Sequence, residues 1–181
     1  VSLIGIESQP VHDETAPGSP LRASGTLYPQ ASRKIARAIN AASGRRPVVV
    51  LANLAGFDGS AESMVGRQLE YGAEIARAIV NFNGPIIVTV IGRFHGGAYV
   101  VFNQRLNPQL SIVALRGTYV SVIGGDAAAG VVFAREVKAA VNDELGDTTT
   151  EALRTNATRR HRDAIARRFD DIHSVTRAAS V

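Results

Sequence analysis

The chain has 181 residues, of which 45% are hydrophobic and 20% charged, with no cysteine and a formal net charge of +4. That length suits one domain, residues 1–181, able to bury about 70% of its unfolded surface without a disulfide or metal staple. Without cysteine there are no thiolate zinc sites, thiol nucleophiles or disulfides, and no metal is expected. The four histidines, His12, His95, His161 and His173, lack metal-ligand spacing. No apolar run reaches the roughly 18 residues of a membrane span, and no secretory signal precedes Val1. Charge is uneven: residues 151–181 hold seven Lys+Arg against four Asp+Glu, leaving 13 against 12 in the first 150.

Leu3-Ile4-Gly5-Ile6 reads as a short strand, followed by a polar, Pro/Gly-rich loop from Gln9 to Pro29. From Gln30 the pattern turns helical, with Ile35, Ala38 and Ile39 on one face. Pro47 to Ala52 is an uninterrupted β-branched run, as expected of a strand covered on both faces. A glycine-bearing turn, Asn53 to Ser60, leads into a helix over Ala61 to Phe82 with Met64, Leu69, Ala73, Ala76 and Ile79 as its buried stripe. Pro85 to Ile91 is the next buried strand, and Gly92 to Tyr99 the turn that opens a third helix. Two further strands are expected at Leu110–Leu115 and Tyr119–Ile123. An Ala-rich helix then runs from Gly124 through Val141, and a basic helix from Thr150 to Phe169. Strand–loop–helix units in series predict a parallel α/β fold with its chemistry at the strand ends.

G-x-G-x-x-G, the Walker pattern and G-x-S-x-G are all absent. Two glycine pairs stand out instead. Gly96-Gly97 and Gly124-Gly125 each follow an apolar strand and precede a helix, where glycine lets the backbone approach a ligand and leaves N–H groups free for an oxyanion. The alternative is a tight turn with close helix–strand packing, and the two readings stand about even. His95 has the chemistry to donate to an anion, although a lone histidine is more often structural. Asp126 serves equally as a helix N-cap. Arg154, Arg159, Arg160, Arg162, Arg167 and Arg168 make the last helix basic. No aromatic residues interleave with them, so a solvated or docking face is expected and nucleic acid is not.

In order along the chain, Pro47-Val48-Val49-Val50-Leu51-Ala52-Asn53-Leu54-Ala55-Gly56-Phe57-Asp58-Gly59, Tyr71-Gly72-Ala73-Glu74-Ile75, Gly84-Pro85-Ile86-Ile87 and Gly96-Gly97-Ala98-Tyr99-Val100-Val101 resemble the carboxyltransferases of acetyl-CoA carboxylases. Ile4-Gly5-Ile6-Glu7, Leu27 to Ala36 and Phe169 to Arg177 extend the resemblance over nearly the whole chain. It implies a crotonase-like (ClpP/crotonase) fold of stacked strand-strand-helix units with a C-terminal helical segment. The chain is then the C-terminal half of a two-domain catalytic unit, cut from a longer polypeptide, which accounts for a strand-first start with Met64 as the only methionine.

The activity implied is transfer of a carboxyl group from carboxybiotin, tethered to a biotin carboxyl carrier protein, to the α-carbon of an acyl-CoA. The product is of malonyl-CoA type, and the cytoplasm is the expected compartment. Such chemistry needs oriented N–H donors rather than a side-chain base. By resemblance Gly97 and Ala98, set by Gly96, supply the biotin-side oxyanion hole. Tyr99, Val100, His95, Gly56, Phe57, Gly124 and Gly125 line the biotin and acyl pocket. The implied partners are the N-terminal half, the carrier, biotin carboxylase and further copies of the chain. His95 replaces the arginine of some members, and the family's "PEGA" helix start reads Gly125-Asp126-Ala127-Ala128 here. An enoyl-CoA hydratase, a Clp-type peptidase and a non-catalytic oligomerisation or regulatory domain are the rival readings. The first needs paired glutamates and the second a Ser-His-Asp set, and neither is evident.

Overall fold

The apolar runs of the first 122 residues assemble a parallel sheet. In chain order the elements are β1 (Ser2–Gly5), β2 (Thr26–Leu27), α1 (Pro29–Ala42), β3 (Val48–Leu54), β4 (Gly56–Phe57), α2 (Ala61–Val65), α3 (Gln68–Val80), β5 (Ile86–His95), α4 (Gly97–Val101), β6 (Leu110–Ala114) and β7 (Tyr119–Ser121). The main sheet has the order β1–β3–β5–β6, with β7 pairing the far end of β5, and β2 pairs β4 in a second sheet. Every one of these pairings is parallel. The computed structural model describes residues 1–12, 18–19, 21–146 and 150–180. They form two compact units, Val1–Val122 and Ile123–Val181.

The core of the first unit gathers Val48, Val50, Ala52 and Leu54 of β3 with Ile86, Val88 and Val90 of β5, and adds Ile35, Ile39, Ile75 and Ile79 from α1 and α3. Burial alternates along β3 between fully and partly buried positions. The opposite face of β5 leaves Ile87 and Ile91 about 40% exposed. The cover on both faces expected of β3 is thus partial on its second face, while β5, expected as a buried strand, is covered on one face only.

In the first unit β2 and β4 lie in stretches read as a loop and a turn, and two longer elements also differ from the sequence reading. The helix expected over Ala61–Phe82 is broken: Arg67 takes left-handed dihedrals, φ 66 and ψ 39, between α2 and α3. The break resets the helical phase, so Met64, Leu69 and Ala73 are exposed, while Gln68, Gly72, Ile75, Ala78 and Ile79 face inward. Gln68 is tied to α1 by donating to the Ser32 hydroxyl at 3.0 Å, with both side chains fully buried. A non-glycine residue at such dihedrals costs about 1–2 kcal/mol. Its ion pair with Glu70 is exposed and worth little. Arg67→Gly is expected to raise stability by about 0.5–1 kcal/mol in denaturant unfolding.

The second difference is at Gly92, where the strand was expected to turn. Instead β5 continues to His95, because a register shift between Ala52 and Leu54 lets Asn53 point across at it. The Asn53 Oδ1 accepts from the Arg93 N–H at 2.9 Å, and a Cβ on Gly92 would overlap the Asn53 amide.

In the second unit the single Ala-rich helix becomes α5 (Gly125–Ala127), a π-helical turn (Ala128–Val132) and α6 (Ala134–Leu145). α7 (Glu151–Ile172) and α8 (Val175–Ala178) follow. Arg160 and His161 of α7 both bind Glu144 of α6, Arg162 pairs with Asp126, and Arg154 donates to Asn142 and the Gly146 carbonyl. Arg154, Arg160 and Arg162 are thus turned onto other elements of their own unit, and Arg159 donates to Asn156 of its own helix. Hydrogen bonds from Arg160 and then His161 hold the Glu144 carboxyl below the usual glutamate range. A depressed carboxylate pKa adds stability above the unfolded-state value and loses it as pH falls through the folded value. Hydrogen-exchange protection across α6 and α7, corrected for the intrinsic pH dependence of exchange, is therefore expected to fall on acidification through the carboxylate range, and less so in Glu144→Gln.

Candidate functional site

β5 ends at His95, whose side chain is 1% exposed. Its Nδ1 lies 3.1 Å from the Ser121 hydroxyl and 3.3 Å from the Ser121 carbonyl of the neighbouring β7. The next residue, Gly96, has φ 63 and ψ −143, a conformation for which the absence of a Cβ is needed. Its N–H donates to the Val122 carbonyl at 2.9 Å, and its Cα side faces the Cα of Gly56 closely enough that a Cβ would stand 3.5 Å away. The chain therefore leaves the sheet abruptly and enters α4.

The first two amides of α4 belong to Gly97 and Ala98. Among the described residues neither N–H has an acceptor, whereas the Tyr99 N–H closes onto the Gly96 carbonyl at 3.1 Å. Helix starts leave such donors by construction, because no preceding turn supplies carbonyls. The Ala98 side chain is buried and holds the turn down, and Val100 beside it is 61% exposed. Tyr99 is half-buried, its ring edge-on to Phe94 at 5.9 Å between centroids. The turn offers two adjacent N–H donors beside an exposed apolar side chain, chemically suited to an oxygen that gains negative charge.

Gly56 and Phe57 of β4 belong to the same cluster. Gly56, φ 143, passes the His95 carbonyl, and the Phe57 ring lies against Gly97 and Gly72. Beyond them Asp58 begins a polar stretch that the sequence reading did not single out. Burial raises its pKa, but hydrogen bonds from Ser60 and Ser63 outweigh it and hold the carboxyl below its ordinary value. The signal was present as an Asp-x-Ser pair before a helix, with Ser60 capping α2 by accepting from the Ser63 N–H at 3.2 Å.

Gly124 and Gly125 lie in the second unit. The Gly125 N–H donates to Asp170 Oδ1 of α7 at 2.8 Å, and a Cβ on Gly125 would meet the Ala166 carbonyl and that same carboxylate. Of the two readings of this pair, the geometry at Gly125 is that of close packing, with its amide already engaged. Asp126 is not the N-cap, which is Gly124; its carboxylate pairs with Arg162 at 3.1 Å. Among the described residues no group of three or more His, Asp or Glu side chains is placed to hold a metal ion, and no helix is long and apolar enough to cross a membrane.

Residues 3–180 match the model of the carboxyl transferase domain family. Acetyl-CoA carboxylase of Saccharomyces cerevisiae is 28% identical over 165 residues, covering 83% of this chain and 7% of that protein. The mitochondrial acetyl-CoA carboxylase of Saccharomyces cerevisiae strain YJM789 is 31% identical over 108 residues, 58% of this chain and 5% of that protein. Among solved structures, transcarboxylase 12S, a hexamer crystallised with methylmalonyl-coenzyme A and methylmalonic acid, superposes with TM-score 0.56 at 25% identity over 78% of this chain and 26% of its own. The geranyl-CoA carboxylase β subunit of P. aeruginosa gives TM-score 0.57 at 24% identity, over 77% of this chain and 26% of its own. The chain thus spans a small part of each relative it matches, and the parallel α/β architecture is that of the crotonase-type fold expected from the sequence. By the match across residues 3–180, this chain belongs to the carboxyl transferase domain family.

Proposed function

We propose that the turn Gly96–Val100 is the biotin-side half of a carboxyltransferase site, acting in a longer polypeptide that carboxylates the α-carbon of an acyl-CoA. The observation that carries this reading is the pair of Gly97 and Ala98 N–H groups without an acceptor among the described residues, in a turn that Gly96 makes possible. Biotin fits that pair: its ureido carbonyl is an acceptor with two lone pairs, and the turn presents donors only. When bound, the carboxylated cofactor supplies the activated carboxyl group.

The residues of this chain orient that group and stabilise charge. The two amides would hold the ureido oxygen of the bound cofactor, and fixed donors of this kind are each worth about 10²–10³ in rate. Val100, exposed beside them, supplies apolar contact, and Tyr99 backs the turn through Phe94. His95 lies buried against Ser121, so its contribution is to fix the end of β5. The acyl-CoA side of the site is assigned to the N-terminal half of the unit, supplied from another copy of the chain. The biotin carboxyl carrier and biotin carboxylase are the remaining partners.

The test uses the full polypeptide with a carrier bearing labelled carboxybiotin and a short acyl-CoA. Label is expected in a malonyl-CoA-type product, with no hydration of crotonyl-CoA. Failure of label to move, with both substrates shown to bind, removes the reading in favour of a non-catalytic domain.

A further inference from the structure

Two glycines on different helices are shaped around one aromatic ring. A Cβ on Gly97 of α4 would overlap the Cδ2 edge of Phe57, and a Cβ on Gly72 of α3 would stand 3.2 Å from its Cε2 and Cζ. The ring has little freedom to move away. Leu27 of β2 pairs with Phe57, and the Asp58 N–H donates to the Leu27 carbonyl at 3.0 Å, so the backbone is pinned at both residues. α3 is fixed in turn by fully buried Ile75 and Ile79 and by the Gln68–Ser32 bond. α4 has only five residues, too few to hold its own direction by helix propensity.

We infer that Phe57 is a positioning residue for the reaction, in place of the pocket-lining role expected from the sequence: it transmits the rigid β2–β4 and α3 frame to α4, setting where the Gly97 and Ala98 amides point. This deepens the proposed function and rests on its assignment of those amides as donors. The absent side chain at Gly97 is then a matter of steric fit to Phe57 as well as of access for a ligand. The same fit accounts for Gly72, a glycine inside a helix, where alanine would otherwise be preferred by about 1 kcal/mol.

The test compares Phe57→Leu, Gly97→Ala and the double variant in the full polypeptide, by steady-state carboxyl transfer and thermal unfolding. Phe57→Leu is expected to lower kcat about 10–100-fold, since a displacement of about 1 Å at a positioned group costs on the order of 10²-fold. KM for carrier and acyl-CoA is expected to stay within about threefold, because a positioning role leaves the binding contacts in place. In the double variant the methyl on residue 97 occupies space the ring edge has left, so kcat is expected to recover about fivefold or more over Gly97→Ala alone. Multiplicative losses in the double variant, or Phe57→Leu with unchanged kcat and only a lower melting temperature, overturn the inference. Should Phe57→Leu fail to fold, Gly72→Ala presses the ring from the α3 side. A fall in its kcat at unchanged KM supports the inference, and unchanged kcat overturns it. A Gly97→Ala variant that transfers carboxyl at the wild-type rate refutes the donor assignment itself, and Phe57's role with it. Loss in Gly97→Ala with none in Phe57→Leu refutes only the role of Phe57.

Discussion

Replacing Gly97 with valine is expected to lower kcat for carboxyl transfer about 10²–10³-fold, the usual loss when an oxyanion donor is removed or misplaced. Gly97 lies outside the left-handed region, so its backbone does not itself demand glycine. A branched side chain there must instead displace either the Phe57 ring or α4. The ring is held by β2 and α3, so the short helix gives way and its two amides turn from their present direction. Overpacking of this kind costs about 1–3 kcal/mol of stability, a lower melting temperature rather than an unfolded protein. Steady-state kinetics on the full polypeptide should show the loss in kcat with KM little changed. A valine variant within threefold of wild-type kcat would place the catalytic donors elsewhere.

The second large effect concerns stability and lies in the other unit. Gly125→Ala is expected to cost about 3 kcal/mol or more, because the new methyl collides with the Ala166 carbonyl of α7 and with Asp170. A helix backbone cannot step aside as a flexible side chain would. The collision also breaks the bond from the Gly125 N–H to the nearly buried Asp170 carboxylate, and such charge-assisted bonds are worth about 1.5–3 kcal/mol. Denaturant unfolding followed by helix signal should show it. Asp170→Asn, which keeps the shape and loses the charge, is expected to cost less. An alanine variant as stable as wild type would mean that α5 and α7 are not packed this closely.

The fold was legible where the physics is local. The β-branched runs at Val48–Leu54 and Ile86–Val90 became paired strands, and Ile35 and Ile39 on a 3.6-residue period became the buried face of α1. The reading failed where a single backbone dihedral redirects everything after it. Arg67 is a good helix former, and nothing in its type announces left-handed dihedrals. A stripe counted through it selected Met64 and Leu69, which lie exposed. At Gly92 the glycine reads locally as a turn signal, yet it makes room for Asn53, which lies on the preceding strand of the sheet and accepts from the Arg93 N–H.

The candidate site divides in the same way. The sequence by itself determined that a glycine pair stands between an apolar strand and a helix, which is enough to expect exposed amides there, because that consequence follows from the chain's own stereochemistry. It also determined, through ordered motifs, the family to which the chain belongs. Only the tertiary structure decided that the two glycine pairs are unlike. The Gly97 N–H is left without an acceptor among the described residues, while the Gly125 N–H is taken by a carboxylate 45 positions along the chain. The physical reason is that a free donor and an engaged donor have the same local sequence, and what distinguishes them is the element that packs against them.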